Sequence, residues 1–159
     1  MTWKPELTVA AVVAERDRFL IVEERVGRRL VYNQPAGHVE DGESLIDAVV
    51  RETLEETAST LVPDSLVGIY LWKNPQSGRS YLRIAFTGSL SGHDPGRALD
   101  DGIVRTHWLS RAQLLAYQNR LRSPLVMRCV DDWLAGVRFP LALLNHLPPD
   151  DLESRAAVV

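Results

Sequence analysis

The segment "GHVEDGESLIDAVVRETLEETAS", Gly37–Ser59, places three glutamates, Glu52, Glu55 and Glu56, near the end of an otherwise apolar helical pattern. At about 100° per residue they span about 100° of helix surface, next to the arc of Leu45, Ile46, Val49, Val50 and Leu54. They therefore face a rim of the core rather than open water. Glu52 and Glu56 stand at i,i+4, Glu52 and Glu55 at i,i+3, and each such like-charge pair is unfavourable by roughly a few tenths of a kcal/mol. All three lie in the C-terminal half of the helix, where the macrodipole disfavours negative charge. Arg51, four residues before Glu55, is the one nearby positive partner. A glutamate-rich helix is ordinarily a solvated face, but this cluster costs stability and so points to a ligand that offsets the cost.

A hard divalent cation such as Mg²⁺ is that kind of ligand, because it prefers carboxylate, water and phosphate oxygens. Two such ions between the helix and a diphosphate would neutralise both. The preceding loop suits this chemistry: Gly37 and Gly42 bracket "HVED", so the backbone can turn tightly and a carbonyl near Ala36 and Gly37 could face the same metal. Glu43, at the helix start, is favoured by the dipole and could reach back to order the loop.

Around this segment, "LTVAAVVA" (7–14) and "RFLIVEE" (18–24) are β-rich runs split by the turn "ERD", and "RLVYN" (29–33) is a further short strand. The spacing predicts a helix over 44–57, opened by Ser44 and Asp47 in a capping-box-like pair. "SLVGIYLWK" (65–73) and "RSYLRIAFTGSL" (79–90) read as antiparallel neighbours across "NPQSG". "IVRTHWLS" (103–110) is one more strand, Ser110 caps a helix to about Tyr117, and Pro124 opens another to about Ala135. One early helix and two late ones among strands do not make a regular βαβ alternation. The expected class is α+β, with helices packed on the faces of a mixed sheet.

At 159 residues the chain suits one domain, expected over 1–147, with 148–159 too poor in apolar side chains to pack. It is 45% hydrophobic and 25% charged with a net charge of −3, and no basic block exists to neutralise a run of phosphates, so a nucleic-acid polymer is not the expected partner. The single cysteine, Cys129, allows neither an intramolecular disulfide nor a multi-cysteine zinc site, and reads as a small apolar helix residue. No apolar run resembles a signal or a bilayer span, so the expected setting is cytoplasmic and away from membranes.

The quoted segment resembles the Nudix box. Gly37, Glu43, Arg51, Glu52, Glu55 and Glu56 occupy its fixed positions, whereas Thr53, Ala58 and Ser59 stand where it has an apolar residue, a glycine and another apolar residue. None of these departures touches a carboxylate; Ala58 bears on the helix exit, because alanine accepts a left-handed turn poorly. With "LTVAAVVAERDRFLIVEE", "NQPAGHVE", "YLRIAF", "LRSPLV" and "FPLALL", residues 5–145 resemble the NudJ-type branch of that family. The resemblance implies a Nudix-type α/β/α sandwich and hydrolysis of phosphoanhydrides in nucleoside di- and triphosphates and thiamine-related pyrimidine pyrophosphates. It implies Mg²⁺ as cofactor, with Mn²⁺ able to substitute.

Carried over by position, the resemblance makes Glu52, Glu55, Glu56 and the Ala36 main-chain carbonyl metal ligands. Arg51 orients a glutamate and Glu43 supports the site. The general base is either a box glutamate or a later loop acid, Asp100 or Asp101. The implied reaction is attack of water at phosphorus, with no covalent intermediate. Tyr32, Trp72 and Arg83, on or beside strands near the box, are candidates to stack on a base or hold phosphate. Few side chains are available to read a base edge, so a broad substrate range releasing mainly phosphate is expected. The partner is a small-molecule diphosphate, and the chain a monomer or homodimer. The alternative is a non-catalytic nucleotide- or metabolite-binding module, which would be expected to lose box glutamates.

Overall fold

The run Glu6–Val12 forms strand β1, and its period of two sends alternate side chains into two different cores. Val9 and Ala11 join Leu20, Ile84 and Phe86 on one side; Val12 joins Phe19, Ile21 and Ala85 on the other. The structure, a computed structural model, describes residues 2–149, so most of the tail expected over 148–159 lies outside the described residues. After β1 come β2 (Ala14–Glu15), β3 (Arg18–Val26), β4 (Arg29–Asn33), β5 (Ala36–His38), α1 (Leu45–Thr57), β6 (Ser59–Lys73) and β7 (Ser80–His93). β8 (Ile103–Ser110), α2 (Arg111–Ala116), α3 (Leu125–Leu134) and β9 (Phe139–Pro140) follow, with 3₁₀ turns at Gln118–Arg120 and Leu141–Leu143.

A five-stranded sheet runs β5-β1-β7-β6-β9, mixed because β1 and β7 are parallel while the other pairs are antiparallel. A second, antiparallel sheet is built on β3, which pairs with β2, β4 and β8. Ala48 and Val49 of α1 close the first core; Leu114 of α2 with Cys129 and Val130 of α3 close the second. The expected α/β/α sandwich is thus the observed one, with two sheets in its middle layer rather than a single mixed one.

Helix α1 begins where Ser44, in extended conformation, accepts from the Asp47 N–H at 3.0 Å, satisfying one of the free donors of the first turn. Thr53, buried on its apolar side, is accommodated because its Oγ1 donates to the Val49 carbonyl at 2.7 Å. The helix ends at Ala58 in the left-handed region, φ 55° and ψ 22°. Several elements differ from the sequence reading, among them the two-residue β9, which lies where no strand is expected. Strand β5 falls in the segment read as loop, and β6 begins six residues earlier than the expected 65. Pro63, which cannot donate to a ladder, conceals that extension; the pairing with β7 shifts register between Pro63 and Ser65. Gly88 opposite is required there, since a Cβ would sit 2.1 Å from the Val62 carbonyl oxygen.

Candidate active site

Arg51 organises the carboxylates that the sequence sets around it. Its Nε and Nη2 bind the two oxygens of Glu43 at 3.0 and 2.6 Å, the planar fork matching the carboxylate. Nη1 reaches Glu52 at 2.8 Å and Glu55 at 3.1 Å, and Nη2 also donates to the His38 carbonyl. These contacts hold Glu43 below the usual carboxylate range, the Arg51 hydrogen bond being the main cause, and keep Arg51 firmly charged. Glu43 also accepts from the Glu40 N–H at 2.8 Å, which ties the loop of residues 39–44 to the helix start.

Glu52 and Glu56 point inward and are nearly buried. The Glu52 carboxylate lies directly over Gly37 of β5, where a Cβ would meet its carbon and oxygens at 2.1 to 2.2 Å. Glycine is needed here for space, not for its dihedral angles. Glu56 accepts from the Ala36 N–H at 3.0 Å, so strand β5 and helix α1 are linked by both backbone and carboxylate. Burial raises the Glu52 carboxyl against the pull of Arg51, with Glu55 and Asp100 adding to the rise. Burial also pushes Glu56 up to about 9, assisted by Glu24, Glu52 and Asp100 and opposed by the Ala36 N–H.

The donor set fits a hard divalent cation: it is all oxygen and carries surplus negative charge at low exposure. Among the described residues no three acidic, histidine or cysteine side chains are grouped as a ready metal cage. The hydrogen bonds account for this, since Arg51 draws Glu52 and Glu55 to one side while the Ala36 N–H holds Glu56. The Ala36 carbonyl belongs to the same short strand and the same pocket rim.

The loop between β7 and β8 seals the exposed end of α1. Asp100 N–H donates to the Glu55 carbonyl and Asp94 N–H to the Ala58 carbonyl, both at 2.8 Å, satisfying late helical acceptors. This brings the Asp100 carboxylate close enough to raise both Glu52 and Glu56. Asp101, exposed, has no such link.

A cavity of about 200 Å³ opens beside Ala36, Gly37 and His38. Trp72 and Tyr81, paired across β6 and β7, stack at 5.9 Å and 25° on its lining. Arg83 lines it too, buried, with Nη1 on Gln34 Oε1 at 3.0 Å and Nη2 on Asn33 Oδ1 at 3.2 Å. Gln34 in turn donates to the Val126 carbonyl at 2.8 Å, fastening this group to α3. Tyr32 is placed elsewhere: it does not line the cavity but packs in the second core, with Tyr117 at 5.2 Å and the Arg120 guanidinium 4.5 Å over its ring. Glu24, Asn33, Tyr81 and Arg122 line the cavity without having been singled out; "NQPAGHVE" and "LRSPLV" contain Asn33 and Arg122, and were the available signal.

Three comparisons bear on this arrangement. The NUDIX domain family model matches residues 4–129. Phosphatase NudJ of Escherichia coli K12 is 36% identical over 143 residues, covering 90% of this chain and 92% of that protein, and the Shigella flexneri Phosphatase NudJ is equally similar. A NUDIX hydrolase structure from Nitrosomonas europaea superposes with a TM-score of 0.89 at 48% identity, covering 91% of this chain and 98% of the other. A MutT NUDIX hydrolase from Burkholderia pseudomallei, at 18% identity and a TM-score of 0.66 over 82% of this chain and 98% of its own, shares the fold. With its box glutamates gathered about Arg51 and Gly37, the chain belongs to the Nudix hydrolase family, is NudJ-like within it, and is an enzyme acting on diphosphate-linked compounds.

Proposed function

We propose that the chain hydrolyses phosphoanhydride bonds in nucleoside di- and triphosphates and in thiamine-related pyrimidine pyrophosphates. It releases mainly inorganic phosphate, with Mg²⁺ as cofactor and Mn²⁺ able to replace it. The observation that supports this most is the Glu52 carboxyl packed on bare Gly37 backbone beside Glu56, a burial of two carboxyls that serves no apolar core. Glu52, Glu55, Glu56 and the Ala36 carbonyl would hold the metal, which when bound would neutralise these carboxylates and the substrate diphosphate and make a bound water more acidic.

The rest falls to the chain's own groups. Arg51 fixes the directions of Glu43, Glu52 and Glu55. Asp100 or a box glutamate takes the proton of the water that attacks phosphorus, and Asp100 is the better placed of the two loop acids. Arg83 and Trp72 hold the group on the far side of the diphosphate. The reaction needs no covalent intermediate, the setting is cytoplasmic, and the working unit is a monomer or homodimer.

The test is phosphate release from a panel of diphosphates with and without Mg²⁺, on the wild type and on Glu55→Gln and Glu56→Gln. Each substitution should cut turnover by about two orders of magnitude or more, the scale of a displaced catalytic group. Stability without metal should stay equal or rise, because Glu55→Gln relieves like-charge repulsion and Glu56→Gln replaces a carboxyl whose burial disfavours its charged form. Binding of nucleotides without turnover in the wild type would instead support a non-catalytic module.

A further inference from the structure

At the carboxyl end of α1 a second cavity, of about 490 Å³, opens between the two sheets, and it shares no lining residue with the one beside β5. The strand registers decide which side chains face it. On the first sheet Leu61 pairs with Leu90 and Ser59 with His93; Leu61 and Leu90 belong to the first core, so the period of two turns Ser59 the same way. On the second sheet Leu20 pairs with Trp108, both on the first core, and Thr106 shares the face of Trp108. Glu15, paired with Arg18 two residues before Leu20, stands on that face as well. Positions that would extend the sandwich with apolar side chains thus carry hydroxyls, an imidazole and a carboxylate. Polar residues at core-facing positions of a strand call for a function.

Part of this polarity is satisfied within the chain. The Ser59 hydroxyl, donating to the Thr57 carbonyl at 3.3 Å, accepts from His93 Nδ1 at 3.1 Å, which leaves His93 Nε2 as a free acceptor. Thr57 Oγ1 donates to the Thr53 carbonyl. The remainder is open: among the described residues the Trp108 indole N–H and the Thr106 hydroxyl have no protein partner, and Glu15 has no ion pair.

These groups select the ligand's chemistry. An anion is disfavoured, since no lysine or arginine lines the cavity, Glu15 adds a carboxylate and Thr57 ends the helix at its negative pole. Arg18, beside Glu15, is turned to the Trp108 carbonyl and Gln113. A cation would meet one exposed carboxylate, a weak partner in water, and would leave the indole N–H unused. A neutral ligand carrying several hydroxyls, each able to donate and accept, matches the set, and Trp108 with Leu90 gives an apolar wall for the C–H face of a ring. The volume lies within the roughly 300–1,000 Å³ of small-molecule sites.

We infer that this cavity binds a neutral polyhydroxylated ring of monosaccharide size, its hydroxyls on Thr106, His93 Nε2 and Glu15 and its C–H face against Trp108. The site is distinct from the hydrolytic one, and the inference stands independently of the proposed reaction.

The test is titration of the full chain with glucose, ribose, glucose 6-phosphate and glucosamine, followed by the Trp108 indole N–H signal in the ¹⁵N–¹H NMR spectrum, assigned by its loss in Trp108→Phe. Glucose or ribose should shift that signal saturably, and glucose 6-phosphate should bind about tenfold more weakly or worse, its charge being unpaired there. His93→Ala and Thr106→Val should each weaken sugar binding about two- to tenfold, the scale of one hydrogen bond. Should Thr106→Val fail to fold, His93→Ala, at an exposed position, decides alone. No saturable shift by either sugar, unchanged affinity in His93→Ala, or equal binding of glucose 6-phosphate overturns the inference. Tighter binding of glucosamine than of glucose, abolished by Glu15→Gln, overturns it in favour of an organic cation.

Discussion

Replacing Gly37 by alanine sets a methyl carbon 2.1 Å from the Glu52 carboxylate, which must then swing away from Arg51. Because the obstacle is the end of a side chain, the protein can yield locally and fold. Gly37→Ala should therefore shift the unfolding midpoint little while lowering turnover about a hundredfold, the cost of misplacing a catalytic group by about 1 Å. Steady-state kinetics beside a thermal melt check both halves. Glu56 carries a second expectation. Its folded-state pKa is raised to about 9 from 4.5, so the folded chain holds a proton that the unfolded chain releases. That stabilisation is complete below pH 4.5 and is lost as pH rises through 9; the raised Glu52 acts in the same direction. The lowered Glu43 acts oppositely, and its contribution is lost as pH falls into the acid range. The melting point of the metal-free protein should fall from pH 5 to pH 9, while the increment conferred by Mg²⁺ should grow over that range as the metal displaces the proton. A flat pH profile would contradict the raised Glu56. At this scale the box residues were legible because their spacing is regular and their charges repel. Glu24 and Asn33 lie in stretches that carry the resemblance but do not stand out within them, because a single polar residue on a strand has no partner at a fixed interval to reveal it.

Helix α1 meets β6 through Ala58, a non-glycine residue at φ 55°. An L-residue in that conformation costs roughly 1–2 kcal/mol, offset in Ala58→Gly by about 0.8 kcal/mol of lost methyl burial and by the freer unfolded chain. The glycine variant should thus lie within about 1 kcal/mol of the wild type. Ala58→Val, with a β-branched side chain in the left-handed region, should lose more than that. Chemical denaturation orders the three, and a valine variant as stable as the wild type would remove strain at this exit. The helix itself was legible from its cap and period. Strand β5 was not: three residues, Ala36–His38, with a glycine at the centre carry no strand pattern, and only pairing with β1 makes them one. The early part of β6 was hidden by Pro63, since a bulged pairing tolerates a residue that a regular ladder rejects.

Across the whole molecule, the box and the Trp72-lined cavity meet at Ala36 and Gly37, and the proposed function would set the reacting phosphorus between α1 and Trp72. Hydrolysis in ¹⁸O-labelled water should place the label on a phosphate product, because the proposed reaction is attack of water at phosphorus. Mass spectrometry of the products decides it, and label in the organic alcohol would mean attack at carbon. The fold class could be read from the order of helices and strands; the parallel placement of β1 against β7 could not, since it joins residues far apart in the chain. Thr8 pairs with Arg83 there, and both line the cavity. That pairing also orders events in time. The β6–β7 hairpin and helix α1 form from residues close in sequence, whereas the β1–β7 pairing joins residues far apart in the chain, and such distant pairings are the slow ones in folding. A refolding chain should therefore form its acidic helix before the Trp72-lined cavity is complete, since Thr8 is set beside Arg83 in that lining only when β1 pairs with β7.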